Sequence, residues 1–301
     1  NDRMELRFDP SGAVTIVAGT HSHGQGHATA YAQLVSEWLG VPFEAIRFVQ
    51  GDTDQVPYGR GTYAARSSLL GGCALREAAD AVVVKAKPVA AELLEVMPAD
   101  IEFKEGCFRV AGTDRSITMT EVAKAFYLPF GARLGLEASG TWAADPPNCP
   151  NGCHACEVEV DPDTGAVTIV RYAVVDDVGR AINPLICEGQ VHGGVAQGIG
   201  QALLEHAYYD RDSGQLITGS FGDYAMPRAD DLPELQTGFH NVPCTTNPLG
   251  VKGIGEGGAI GAQPAVLEAV LDALRPLGVK HIDMPATPYR VWAAIQRAAG
   301  V

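Results

Sequence analysis

A turn-and-strand phrase that occurs twice constrains this chain most. Asp9-Pro10-Ser11-Gly12 leads into Ala13-Val14-Thr15-Ile16-Val17, and Asp161-Pro162-Asp163-Thr164-Gly165 leads into Ala166-Val167-Thr168-Ile169-Val170. Each reads as a tight turn followed by a β-branched run, the second half of a hairpin. Residues 5–8 and 157–160 supply the first halves, and a Gly- and Gln-rich turn with an amphipathic helix follows each pair. Asp-Pro turns are common enough to converge, but repetition of the whole hairpin–helix phrase predicts an α+β fold. Two related lobes are expected, each a mixed β-sheet packed with helices. The stretch 140–149, rich in Pro, Asn and Asp, divides them into 1–145 and 146–301.

Periodicity places the helices. Tyr31, Leu34, Val35, Trp38 and Leu39 share one face of a helix starting near Ala28, with Gly40 as its stop. A second helix is expected over 69–96, breaking at Pro88, where a lost amide and a steric clash oppose continuation. Over 189–207, Val191, Val195, Ile199 and Leu203 form one face, and Gln190, Gln197 and Gln201 the opposite one. Gly193, Gly194, Gly198 and Gly200 each cost such a helix roughly 1 kcal/mol against alanine. Two readings of these glycines stay open: close approach of a flat polar ligand, or close packing against a neighbouring element.

A net charge of −14 without any Lys/Arg run argues against nucleic acid and anionic membrane surfaces as partners. Apolar stretches are broken by Lys85, Lys87 or glycine within a few residues, too soon to span a bilayer. The odd count of seven cysteines argues against a fully paired disulfide framework, so reduced cysteines in the cytoplasm are expected. Cys149, Cys153, His154 and Cys156 have the look of a metal loop. The alternation Glu157-Val158-Glu159-Val160 makes the opening of a strand the better reading. Beginning at Asn1 rather than Met suggests a piece of a longer protein or a processed chain.

Three glycine-rich motifs could carry chemistry. Gly24-Gln25-Gly26-His27 opens the first helix, where backbone amides and the helix dipole favour an anion. His21 and His23 also permit a zinc-hydrolase reading, with His154, His192 or His240 as further ligands. Residues 59–68 hold glycines, hydroxyls and Arg66 before Ser67 and Ser68, either a phosphate cradle or an ordinary capped helix start. Lys252-Gly253-Ile254-Gly255-Glu256 formally contains the dinucleotide glycine spacing. No useful strand precedes it, however, and Glu256 would sit where a pyrophosphate belongs. A carboxylate among glycines is better read as a general base that substrate can approach and whose desolvation tunes it.

Gly24-Gln25-Gly26-His27, Gly61-Thr62-Tyr63 through Arg66-Ser67, Glu188-Gly189-Gln190-Val191-His192-Gly193-Gly194 and Lys252-Gly253-Ile254-Gly255-Glu256 occur in this order. With these motifs the chain resembles the C-terminal, molybdenum-cofactor-binding half of large subunits of the molybdenum hydroxylase (xanthine oxidase) family. The resemblance is to the branch similar to aerobic carbon monoxide dehydrogenase large chains, and it runs over nearly the whole chain. It implies molybdopterin cytosine dinucleotide with Mo and no protein ligand to the metal. Gln25, Gly26, His27, Arg66, Ser67, Ser68, Gln197, Lys252, Gly253, Ile254 and Gly255 would bind the cofactor, and Glu256 would be the catalytic base. It also implies an N-terminal half of the large subunit, an iron–sulfur small subunit with [2Fe–2S] clusters, and a medium subunit with FAD. After Glu256 the chain reads Gly257-Gly258-Ala259-Ile260-Gly261, not the Ser-Pro-His associated with carbon monoxide oxidation. Hydroxylation of an aldehyde or an N-heteroaromatic carbon, using water, is therefore the preferred expectation. Carbon monoxide oxidation, a zinc hydrolase, or a fragment inactive on its own are the alternatives.

Overall fold

A computed structural model describes residues 1–128, 135–144 and 148–300. The fold is mixed α+β, in two compact units. Unit 1 comprises Asn1–Asn148, Gly179–Asn183 and Pro243–Gly253; unit 2 comprises Cys149–Val178, Pro184–Val242 and Ile254–Val301. The boundary expected at residues 145 and 146 falls outside the described residues. Two stretches of the expected second lobe, Gly179–Asn183 and Pro243–Gly253, pack with unit 1.

In unit 1, β1 (Asp2–Phe8) and β2 (Val14–Ala18) form the first hairpin, with Phe8 opposite Val14 and Met4 opposite Ala18. The chain then forms α1 (His27–Leu39) and returns as β3 (Ile46–Gln50), parallel to β2. Helix α1 buries Tyr31, Leu34, Val35 and Leu39 and ends at Gly40, whose φ of 65° suits glycine. A π-helical turn, Ser67–Gly71, leads into α2 (Gly72–Leu93). Strands β4 (Ile101–Lys104), β5 (Cys107–Val110) and β6 (Ser116–Thr118) make a small meander before α3 (Met119–Ala125). Strand β7 (Glu137–Trp142) completes the main sheet in the order β3-β2-β1-β7.

Helix α2 does not break at Pro88. It packs across β1 and β7, burying Leu75, Ala78, Ala79, Val82, Val89 and Ala90. At ~1.5–3 kcal/mol for each large apolar side chain, that burial outweighs the ~3 kcal/mol a helical proline costs.

Unit 2 repeats the path. Strands β8 (Asn151–Val160) and β9 (Val167–Asp177) form the second hairpin, α4 (Pro184–Ile199) crosses over, and β10 (Leu235–Phe239) returns parallel to β9. The sheet order β10-β9-β8 matches β3-β2-β1. Both units are thus hairpin, helix and parallel third strand, the topology behind the repeated phrase. A π-helical turn, Gly200–Leu204, extends α4. Helix α5 (Gly257–Leu274) packs on β8 and α4, and α6 (Pro288–Ala299) joins the same core. The apolar pattern alone places the start of this helix near Gln263, six residues after its true start at Gly257. Its glycines argue against a helix until their packing is seen.

Candidate functional site

In unit 1 the loop 21–26 carries the chain from β2 into α1. The Ser22 amide donates to Gln50 Oε1 at 2.8 Å, and Gln50 Nε2 donates to the Ser22 carbonyl at 3.3 Å, tying the loop to the end of β3. Gln25 bonds within this loop, to Ser22 Oγ and to both the backbone and the ring of His23. Gly24 and Gly26 hold φ values of 127° and 74°, which L side chains avoid. Gly26 caps α1 with no side-chain hydrogen bond, leaving the first-turn amides without a side-chain acceptor.

His27, the first residue of α1, is 7% exposed, and its Nδ1 has no hydrogen-bond partner among the described residues. Burial, then the nearby His23 and His21, push its pKa down to about 4, so the ring is neutral at neutral pH. An unsatisfied buried ring nitrogen costs ~1–3 kcal/mol. Beside open helix amides, it suits a ligand carrying anionic and hydrogen-bonding groups. Tyr31 lies one turn on, its ring 5.2 Å from that of His27, and donates its hydroxyl to the Ser67 carbonyl at 2.9 Å. The first and second motifs are thereby joined.

Arg66 points inward. Its guanidinium pairs with Asp2 Oδ2 at 2.9 Å and donates to the carbonyls of Gly61 and Asn1, each at 2.8 Å. Arg66 is 7% exposed and Asp2 fully buried, so this charge holds β1 to the loop. The Ser67 hydroxyl lies 2.6 Å from Thr62 Oγ1; Ser68 is half-buried in the π-helical turn. Ala64 and Ala65 adopt φ of 49° and 53°, a left-handed conformation costing roughly 1–2 kcal/mol per residue. Gly253 fits against this strained turn, because a Cβ there would fall 2.2 Å from the Ala65 carbonyl oxygen.

The run into Gly253 is clamped by a residue that sequence reading missed. Asn247, 8% exposed, accepts from the Val251 amide at 3.1 Å and donates to its carbonyl at 3.0 Å. Asn148 donates to the same carbonyl at 3.0 Å, and the Gly250 carbonyl accepts from the Arg180 and Cys244 amides. The only local signal was an Asn-Pro turn. Lys252, half-buried, follows directly.

In unit 2 the glycine ambiguity of α4 resolves position by position. A Cβ at Gly194 would fall 2.9 Å from Gly258 Cα, and one at Gly198 would fall 2.6 Å from Ala262 Cβ, so these glycines serve close packing on α5. A Cβ at Gly189 or Gly193 would meet nothing within 4 Å among the described residues. Val191, Val195, Ile199 and Leu203 are all buried in the core of unit 2. On the other face Gln197 is exposed, Gln201 accepts from Gln263 at 2.8 Å, and Gln190 Oε1 lies 4.0 Å from where a Cβ on Gly255 would be. Of the three glutamines, Gln190 thus borders the Gly255–Glu256 turn. Ile254 packs into the core, and Glu256 is the N-cap residue of α5, exposed beside Gly255 and Gly257.

Among the described residues no group of three or more His, Cys, Asp or Glu side chains is placed to hold a metal ion. The rings of His21 and His23 lie tilted with centroids 5.2 Å apart, without a third ligand among the described residues. No described helix is long and apolar enough to cross a membrane.

The molybdopterin cofactor-binding domain family matches residues 1–233. The chain is 39% identical over 300 residues to the carbon monoxide dehydrogenase large chain of Hydrogenophaga pseudoflava, covering 98% of this chain and 37% of that one. It is 41% identical over 297 residues to the nicotine 6-hydroxylase large subunit of Paenarthrobacter nicotinovorans, covering 97% and 36%. Quinoline 2-oxidoreductase from Pseudomonas putida 86 superimposes with a TM-score of 0.87 at 39% identity, covering 98% of this chain and 38% of that one. The chain thus spans 36–37% of the length of these curated relatives. With its two repeated units and an uncapped helix start beside a neutral buried histidine, the chain belongs to the molybdopterin cofactor-binding domain family.

Proposed function

We propose that this chain is the molybdenum-cofactor-binding part of a molybdenum hydroxylase, and that it takes molybdopterin cytosine dinucleotide. The observation that carries the reading is the orphaned Nδ1 of buried His27 at the uncapped start of α1. In unit 1, Gln25, Gly26 and His27 would present donors to the anionic groups of the cofactor. The backbone of residues 66–68, with the Ser68 hydroxyl, would do the same, while Arg66 holds the loop in shape from behind. Lys252 and Gly253 would bring clamped backbone to the ligand. In unit 2, Gln197, Ile254 and Gly255 would bind the cofactor by the same resemblance. When bound, the cofactor supplies a two-electron oxidant that accepts electrons from a substrate carbon. Glu256 holds the carboxylate that removes a proton as water-derived oxygen is transferred; its glycine neighbours leave the approach open.

An aldehyde or N-heteroaromatic substrate is favoured over carbon monoxide by the run Gly257 to Gly261 after Glu256, and one relative is named for nicotine hydroxylation. Electrons would leave through [2Fe–2S] clusters on a small subunit and FAD on a medium subunit, in the cytoplasm. Loading would require the rest of the large subunit. Molybdenum and cytosine dinucleotide assayed on the assembled wild-type enzyme and His27→Ala test this reading. A fall in both on substitution is expected; full, equally tight occupancy in the variant would overturn the site.

A further inference from the structure

One buried polar cluster in unit 2 has no part in the proposed site. On the face of the sheet that carries α5, His154 of β8 stands opposite Val174, with Tyr172 and Asp176 of β9 as its diagonal neighbours. Its Nδ1 lies 2.7 Å from the Tyr172 hydroxyl, and its Nε2 faces Asp176 Oδ1 at 3.8 Å. Tyr172 and Asp176 are 1% and 3% exposed, so the imidazole is anchored by the Tyr172 hydroxyl inside the fold, with the Asp176 carboxylate facing its other end. Burying such groups is costly unless they hold one another, so three of them in a row call for a purpose.

Two glycines make room for this row. A Cβ on Gly152 would fall 1.9 Å from Asp176 Oδ1, and one on Gly261 would fall 2.4 Å from His154 Nε2. Helix α5 therefore rests on the flat of the imidazole at Gly261, as it rests on α4 at Gly258. Glu256, the N-cap of the same helix, lies five residues before Gly261, about 7.5 Å along the axis at 1.5 Å per residue.

We infer that His154 is a positioning residue for Glu256: anchored by the Tyr172 hydroxyl, with Asp176 at its other end, it is the seat on which α5 fixes the placement of its N-terminal carboxylate. The inference rests on the reading of Glu256 as the base. A catalytic group must be held within a fraction of an ångström, and a misplacement of about 1 Å can cost ~10²-fold in rate. Losing the imidazole lets α5 settle; adding a methyl at Gly261 lifts it. Either change moves the carboxylate without touching it.

The test is a set of variants in the assembled enzyme: His154→Ala, His154→Gln, Gly261→Ala and the double His154→Ala/Gly261→Ala, with Glu256→Gln in parallel. Turnover per bound molybdenum, KM, molybdenum content and hydrogen exchange of amides 258–262 are measured. His154→Ala and Gly261→Ala are each expected to lower kcat per molybdenum at least tenfold, with KM and metal content held and faster exchange in the first turns of α5. His154→Gln, which keeps an acceptor for Tyr172 and a donor for Asp176, should recover kcat to within about threefold of wild type. The double variant should be less impaired than the product of the singles, because the methyl fills the space the ring leaves. Unchanged kcat per molybdenum and exchange in both singles overturns the inference, as does strict additivity in the double. Loss of metal and thermal stability with kcat per molybdenum intact also overturns it, since that is a merely structural role. An active Glu256→Gln defeats the base reading instead, and hydrogen exchange then reports on the seat alone.

Discussion

Gly194 of α4 and Gly258 of α5 touch backbone to backbone: a Cβ on Gly194 would sit 2.9 Å from Gly258 Cα, and one on Gly258 would sit 3.0 Å from the Gly194 carbonyl carbon. Gly194→Ala is expected to destabilise the chain by ~1–3 kcal/mol, the usual cost of overpacking. Gly193→Ala, with open space around its Cβ, should instead stabilise by up to ~1 kcal/mol through helix propensity. Thermal unfolding of the two variants checks the contrast; equal effects would contradict it.

Arg66→Ala should act on the fold before it acts on the ligand. Removing one partner of a buried ion pair costs ~3–5 kcal/mol because the other charge stays buried, and here that charge is Asp2. Urea unfolding should show this loss in Arg66→Ala, and much less of it when Asp2→Leu is added. Full stability with loss of cofactor alone would return Arg66 to the phosphate role.

Asn247→Leu removes the acceptor of the Val251 amide, leaving it buried and unsatisfied, while the carbonyl keeps Asn148. The expected cost is ~1–3 kcal/mol, with faster exchange of the Val251 and Lys252 amides. Unaltered exchange there would show that the clamp is redundant.

His27 predicts an acid-side slope. Its folded pKa lies near 4 against an ordinary value of 6.5, so between those values the unfolded chain binds more protons than the folded one. Stability from this group is full above pH 6.5, falls as the pH drops towards 4, and changes no further below it. His27→Phe should flatten that part of the curve. An identical pH profile in wild type and variant would contradict the neutral, buried ring.

The hairpins were legible because Asp-Pro turns and β-branched runs are local signals, and α1 because its apolar spacing and terminal Gly40 agree. Strands β3 and β10 were not, since parallel partners are reached by crossover and leave no turn to read. The first turns of α5 were hidden by glycines whose justification, the contacts with Gly194 and His154, lies in other elements. Arg66 shows the same limit at the site. Its motif gives no hint of the ion pair, because Asp2, 64 residues away, gives no local sign of pairing with it.

The most direct test of the account is turnover per bound molybdenum in the assembled enzyme with Glu256→Gln. The amide keeps the size of the exposed N-cap side chain but cannot take a proton. A general base contributes ~10²–10⁴-fold, so a fall of that order with molybdenum content unchanged is predicted. Retention of more than about a tenth of the wild-type rate at equal metal content would contradict the assignment of Glu256, since the loss would lie below that range.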